Sequence, residues 1–234
     1  ADGSHSRTWR VPKGAQCLAV GADDRVYVAG AGRVEVFSAD GGRLGGFRVG
    51  EGQQPASLTS IKVAGDDILV GDASARIIRR LDATGRQVGL IGDQNKTRAF
   101  ILPNGNLDLA VDRSGIVWAT DSGRHQVTAW RIDGTPVSKF GKFGLQQAAD
   151  FTGCCNPVNI AVTVDGKIVT AEKNGARVKV FEPDGTLLAL IGHDHFDQSC
   201  TQIRLACDAK GRVLAADTVR REIKVFAPAG RLEA

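Results

Sequence analysis

Five cysteines and four histidines are the residues of this 234-residue chain suited to thiol or soft-ligand chemistry. Their spacing is uneven. Cys154 and Cys155 are neighbours, His193, His195 and Cys200 share one short stretch, and Cys17 and Cys207 stand apart. Thiolate and imidazole together suit zinc or copper. The candidate metal site therefore draws Cys154, Cys155, His193, His195 and Cys200 from two loops, although the spacing matches no local zinc motif. Loop packing by small buried thiols competes with that reading. So does a bond within the Cys154–Cys155 pair. Adjacent Cα atoms lie about 3.8 Å apart, short of the usual disulfide span of about 4.4–6.8 Å. Such a bridge is strained and readily reduced, and makes a rigid apolar knuckle that grips a ligand or acts as a redox switch. A Cys155–Cys200 bridge is the other pairing. The odd number of cysteines argues against a regular disulfide framework, and Cys207 occupies an apolar core position.

Polar residues give a second set. Asp72, Asp121, Glu172 and Asp217 recur at one position, followed by Arg76, Arg124, Arg177 and Arg220 or Arg221. The expectation is an acid–arginine pair or turn cap repeated along the chain, with a calcium site as the competing reading. Asp108, Asn159 and Arg204 open three successive repeats and are candidates to bind a small polar ligand. Glu172 and Lys173, in the turn facing Cys154–Cys155, complete the ligand-binding set, and a general acid or base role is open to them. RNA binding through Arg124, Lys173, Arg220 and Arg221 is a further alternative, with Phe151 and Phe196 as the stacking candidates. Phosphate-cradling Gly-rich motifs and a Ser-His-Asp signature are absent.

These residues need elements to hold them, and the chain supplies a repeat. A large apolar residue stands four before a turn glycine at Phe37/Gly41, Leu81/Gly85, Trp130/Gly134, Phe181/Gly185 and Phe226/Gly230. The anchors are 44, 49, 51 and 45 residues apart. Period-two alternation such as Val178/Val180 against Lys179 predicts a half-buried third strand. The second strand is apolar almost throughout and predicts cover on both faces. A four-stranded sheet cannot bury both faces alone, and radial repetition at about 40–50 residues is the propeller solution. The fold expected is all-β, a β-propeller of five four-stranded antiparallel blades, with a six-bladed ring lacking one blade as the alternative. Closure is expected from the N-terminal strand, with Thr8–Val11 beside Glu222–Phe226. Residues 1–6 read as a loose tail or tag remnant and 7–234 as one propeller domain.

The pattern of apolar strand, Asp-Gly turn and R-V-x-V-F resembles the NHL-repeat β-propellers over residues 15–230. It is carried by Leu109-Ala110-Val111-Asp112, Val117-Trp118-Ala119-Thr120-Asp121 and Arg177-Val178-Lys179-Val180-Phe181. The Gly153-Cys154-Cys155-Asn156-Pro157 stretch is similar to a bacterial subgroup of that family. The resemblance implies a propeller. It leaves function open, since relatives include sensor ectodomains, RNA- or protein-binding modules and an amidating lyase whose histidine and tyrosine pattern this chain lacks.

Short turns lie on one rim of such a propeller. The long stretches 49–58, 92–106, 141–157 and 192–202 lie on the other, where binding residues concentrate. The net charge of +4 is too small to argue for nucleic acid. No apolar run reaches the length needed to span a bilayer. The expected function is a binding or scaffolding propeller presenting its looped face to a protein, peptide or small ligand. The alternative is a metal- or thiol-dependent enzyme with a Cys/His site between blades four and five. The reading favours a binding module over an enzyme, a monomer, and an extracytoplasmic location.

Overall fold

The computed structural model describes residues 7–50, 55–92, 99–173, 175–227 and 233, with only the backbone of His193. The tail expected at 1–6 lies outside these. Among the described residues all strands belong to five up-and-down antiparallel sheets. The first has β1 (Cys17–Val20), β2 (Val26–Gly30), β3 (Arg33–Phe37) and β4 (Arg43–Arg48). The second has β5 (Leu58–Ala64), β6 (Asp67–Asp72), β7 (Ile77–Leu81) and β8 (Gln87–Ile91). The third has β9 (Leu109–Val111), β10 (Val117–Asp121), β11 (Gln126–Trp130) and β12 (Pro136–Phe140). The fourth has β13 (Asn159–Val162), β14 (Ile168–Glu172), β15 (Arg177–Phe181) and β16 (Leu187–Ile191). The fifth has β17 (Ile203–Cys207), β18 (Val213–Asp217) and β19 (Glu222–Phe226). These are the blades of a five-bladed β-propeller. The chain divides into two compact units, residues 1–89 and 90–234.

The second strands of blades two to four are covered on both faces, as their composition predicts, with every residue of β10 and β14 buried; β18 alternates buried and half-buried residues instead. Tyr27, Val34, Leu58, Ile61, Val70 and Leu81 share the core of the first unit. In the second unit one core joins Trp118, Phe140, Phe151, Ile168 and Phe181. Another joins Val169, Val178, Ile191, Phe196, Ile203 and Phe226. Each fully buried side chain of this size contributes about 1.5–3 kcal/mol over exposure.

The hairpins need left-handed glycines. Gly85 has φ +86° and Gly185 φ +92°. A Cβ on Gly85 would lie 2.2 Å from Phe47 Cγ, and one on Gly185 would lie 2.6 Å from Phe140 Cβ. These turns therefore seat a phenylalanine from the preceding blade. The third-to-fourth strand register shifts at the same repeat position in blades one, three and four, just before the turn.

Closure by an N-terminal strand is corrected. Residues 7–12 form no strand. Proline at 12 and the turn at 13–14 end the segment before a ladder can extend. Trp9 lies instead against Gly41, as Phe47 lies against Gly85. Beyond β19, the Glu233 amide donates to the Val225 carbonyl at 2.7 Å. Among the described residues no helix is long and apolar enough to cross a membrane.

Candidate functional site

The acids that end the second strands do structural work. Asp72 pairs with Arg79 at 2.9 Å, not with Arg76. Asp121 pairs with Arg124, Glu172 with Arg177 at 3.0 Å, and Asp217 with Arg220 at 3.8 Å. In the second unit each acid also accepts an amide from the loop leading into its own blade. The donors are Ile101 to Asp121 at 2.9 Å, Thr152 to Glu172 at 3.0 Å and Asp197 to Asp217 at 2.7 Å. The residue before each donor is a buried phenylalanine: Phe100, Phe151 or Phe196. Their separations of 51 and 45 match those of the strand anchors. Sequence reasoning missed this repeat, because it treated the long loops as irregular throughout. Phe151 and Phe196 are thus core residues and unavailable for base stacking, while Arg124 and Arg220 are held by their acids.

In blade four the acid carries a larger network. Lys179 is fully buried beside Glu172, with Nζ 2.6 Å from Oε1. Its ammonium also donates to the Asp150 carbonyl and sits 5.1 Å from the centre of the Phe151 ring. Arg177 donates to Glu172 Oε1 at 3.1 Å and to Oε2 at 3.0 Å. Burial pushes the Glu172 carboxyl up, but hydrogen bonds from Arg177 and the charge of Lys179 outweigh it and hold the group below its ordinary value. Burial pushes Lys179 down, against the opposing pull of Glu172. Glu172 is therefore fully engaged and 1% exposed, and acts as a clamp.

That clamp pins residues 150–152, and the next three residues are the knuckle. Cys154 and Cys155 are bonded to each other, with Cα atoms 3.8 Å apart. Cys154 is exposed and Cys155 is 4% exposed. Gly153 and Cys155 adopt φ +67° and +65°. Asn156 grips the far side: its Nδ2 donates to the Thr152 carbonyl at 2.6 Å and to the Lys173 carbonyl at 3.0 Å. Its Oδ1 accepts the Lys173 amide at 3.0 Å. His125 meets the near side, with Nε2 2.9 Å from the Gly153 carbonyl. A carbonyl only accepts, so Nε2 carries the hydrogen. His125 follows the 3-10 turn Ser122–Arg124 in the left-handed region, φ +55°.

Beside His125 stands an exposed aromatic ring. Phe143 packs edge-on to His125, ring centres 5.2 Å apart, and is 55% exposed. Leu145 is 76% exposed. Residues 142–151 fold back on themselves: the Phe151 amide donates to the Lys142 carbonyl at 3.0 Å and the Gly144 amide to the Phe151 carbonyl at 3.1 Å. Phe143 went unnoticed in the sequence, where an aromatic ring in a glycine- and glutamine-rich loop was the signal available.

Among the described residues the expected metal ligands are not assembled. Cys154 and Cys155 are joined to each other. Cys200 is fully buried and unbridged, with Sγ donating to the Gln202 carbonyl at 3.3 Å, so no Cys155–Cys200 bridge exists. The His195 ring packs on Phe226 at 5.4 Å, and the His193 side chain lies outside the described residues. Among the described residues no three His, Cys, Asp or Glu side chains stand close enough to hold a metal ion. The thiol feature stands at the loop leading into blade four, flanked by His125 of blade three, and a Cys/His site between blades four and five is not assembled among the described residues.

Asp108 and Asn159 do come together, as a staple between two first strands. Asp108 Oδ2 accepts Asn159 Nδ2 at 2.9 Å and the Ile160 amide at 3.0 Å, and Oδ1 accepts the Leu109 amide at 3.0 Å. Both residues are buried. Arg204 is partly buried and donates to Gln202 Oε1 at 3.1 Å. Lys173 is half-buried, its backbone held by Asn156.

No family profile matches the sequence. Protein brain tumor from Drosophila melanogaster is 27% identical over 150 residues, which is 64% of this chain and 14% of that protein. The chain thus spans about a seventh of that relative's length. Among solved structures, a streptogramin B lyase superposes with a TM-score of 0.68 at 15% identity, covering 94% of this chain and 67% of that one. A catalytically inactive virginiamycin B lyase from Staphylococcus aureus with quinupristin gives 0.67 at 12% identity, covering 94% and 69%. BamB from Moraxella catarrhalis gives 0.55 at 16% identity, covering 93% and 63%. These likenesses are of fold. They correct one expectation: because lyases are built on this fold, preferring a binding module to an enzyme is not supported. By fold, this chain is similar to β-propellers.

Proposed function

We propose that the chain acts on a small organic molecule or peptide at the rim formed by His125 and residues 142–156. The ligand settles against Phe143, Leu145 and the Cys154–Cys155 knuckle, and the sulfur pair takes part in the chemistry. The observation that carries this reading is a pair of bonded neighbouring cysteines, half exposed and half buried, gripped from both sides by Asn156 and His125. The grip continues inward through Thr152, Glu172 and Lys179 to the core. Such anchoring gives the loop tip a rigid geometry, and pre-organisation of this kind is what a binding or catalytic surface gains from.

The solved lyase with quinupristin supports a small-molecule ligand for a propeller of this fold. The reading is therefore a thiol-dependent enzyme site on a propeller of NHL-like repeat, and Asp108, Glu172 and Lys173 serve it as supports. A disulfide persists in an oxidising compartment, which supports an extracytoplasmic location. A second reading, docking of a protein or peptide without chemistry, is favoured by the exposure of Phe143 and Leu145 alone.

Thiol counting tests the reading. Protein from an oxidising host, denatured without reductant, should show three free thiols, and five after reduction. A small-molecule thermal-shift screen of oxidised against reduced protein should then give ligands whose shift is lost on reduction or in Cys154→Ser. Five free thiols without reductant would end the proposal. Ligands indifferent to reduction would favour docking.

A further inference from the structure

We infer that Cys154–Cys155 is a thiol–disulfide exchange centre, in which Cys154 is the sulfur attacked and a low-molecular-weight thiol is the substrate. The inference rests on the knuckle reading above and adds to it a direction and a substrate class. Exchange proceeds by attack of a thiolate on one sulfur while the other leaves, so access to each sulfur decides which bond forms. Of the five cysteines Cys154 alone is exposed. Cys155 is 4% exposed, with its backbone in the left-handed region at φ +65°. Cys200 lies fully buried in a core, and Cys17 and Cys207 pack against cores.

The loop is also built to survive opening of the bond. Its anchors are the Thr152 amide on Glu172, Asn156 on Thr152 and Lys173, and His125 on the Gly153 carbonyl. None of them uses a sulfur atom. Reduction therefore leaves the two thiols side by side and ready to close again.

The steps balance as follows. A substrate thiolate attacks Cys154 Sγ, forming a substrate–Cys154 disulfide. The Cys154–Cys155 bond breaks, and its electron pair leaves on Cys155 Sγ, which takes a proton from water. A second substrate thiolate attacks the substrate sulfur of the mixed disulfide, releasing the substrate disulfide and the Cys154 thiolate, which is protonated in turn. Two thiols are oxidised to one disulfide, and the knuckle is reduced to two thiols. A low-molecular-weight disulfide restores it by the reverse sequence.

The wild-type chain gives the direct test. Oxidised protein is pulsed with limiting glutathione, quenched with acid, alkylated and mapped by fragmentation mass spectrometry. Glutathione is expected on Cys154 and the alkyl group on Cys155, about tenfold over the reverse adduct. In parallel, glutathione disulfide should modify Cys154 in Cys155→Ser about tenfold faster than Cys155 in Cys154→Ser. Equal or reversed adducts in the wild type, with three free thiols confirmed, would overturn the assignment and leave the ligand-binding knuckle intact. Five free thiols before reduction would overturn both.

Discussion

Lys179 shows how one residue's chemistry is decided by its surroundings. On alternation alone it belongs to the outward row of a half-buried strand, with Glu35, Thr128 and Lys224 at the matching positions. In the structure it is fully buried, neutralised by Glu172 and capped by the Asp150 carbonyl and the Phe151 ring. Breaking such a pair on one side leaves an uncompensated charge. Glu172→Gln should therefore cost about 3–5 kcal/mol, because Lys179 and Arg177 lose their anion. The same change should raise amide exchange across 150–156, since the Thr152 amide loses its charged acceptor. Urea unfolding and hydrogen exchange read the two effects. A loss below about 1 kcal/mol would mean the network is solvated and not a clamp.

At the scale of the element, the hairpins carry both conformation and packing, and two glycines separate these. Gly166 and Gly185 have nearly equal φ, +88° and +92°. A Cβ on Gly166 meets nothing within 4 Å, whereas one on Gly185 lands 2.6 Å from Phe140 Cβ. Gly166→Ala should cost about 1 kcal/mol, the backbone penalty alone. Gly185→Ala should cost about 2–4 kcal/mol, because Phe140 must leave its seat against Phe181. Equal losses in denaturant midpoints would deny the seat its part in joining blades.

For the whole molecule, the carboxylates set the response to acid. Asp82 is held down to about 2, first by the Thr84 hydroxyl and also by Arg86 and turn amides, with burial opposing. Asp40, Asp133, Asp165 and Asp184 are lowered by hydrogen bonds from their own turns. For Glu35, Asp208 and Asp217 burial pushes up, and hydrogen bonds from arginines or backbone amides outweigh it. Folded values below unfolded ones mean that the unfolded chain binds more protons in acid. The stabilisation is then complete above the ordinary carboxylate range and drains away as pH falls through the depressed values. Urea midpoints should be flat from about pH 7 to 5 and fall between about pH 4 and 2. A midpoint that rises on acidification would contradict the sign.

Sequence alone determined the blades. Their number, the hairpin glycines, the doubly covered second strands of blades two to four and the acid–arginine pairs of blades three to five are local or periodic features, and 44- to 51-residue spacing repeats them along the chain. It also placed the distinctive residues on the loops and named Cys154–Cys155 as a pair able to bond, because neighbours in the chain are neighbours in space. Only the tertiary structure decided what the other candidates do. Whether Glu172 faces a ligand or Lys179, whether Phe151 stacks on a base or fills a core, and whether His195 binds a metal or packs on Phe226 all depend on contacts from residues distant in the chain. A single sequence carries no record of those contacts, since burial and charge compensation are properties of the assembled cores and not of any one strand.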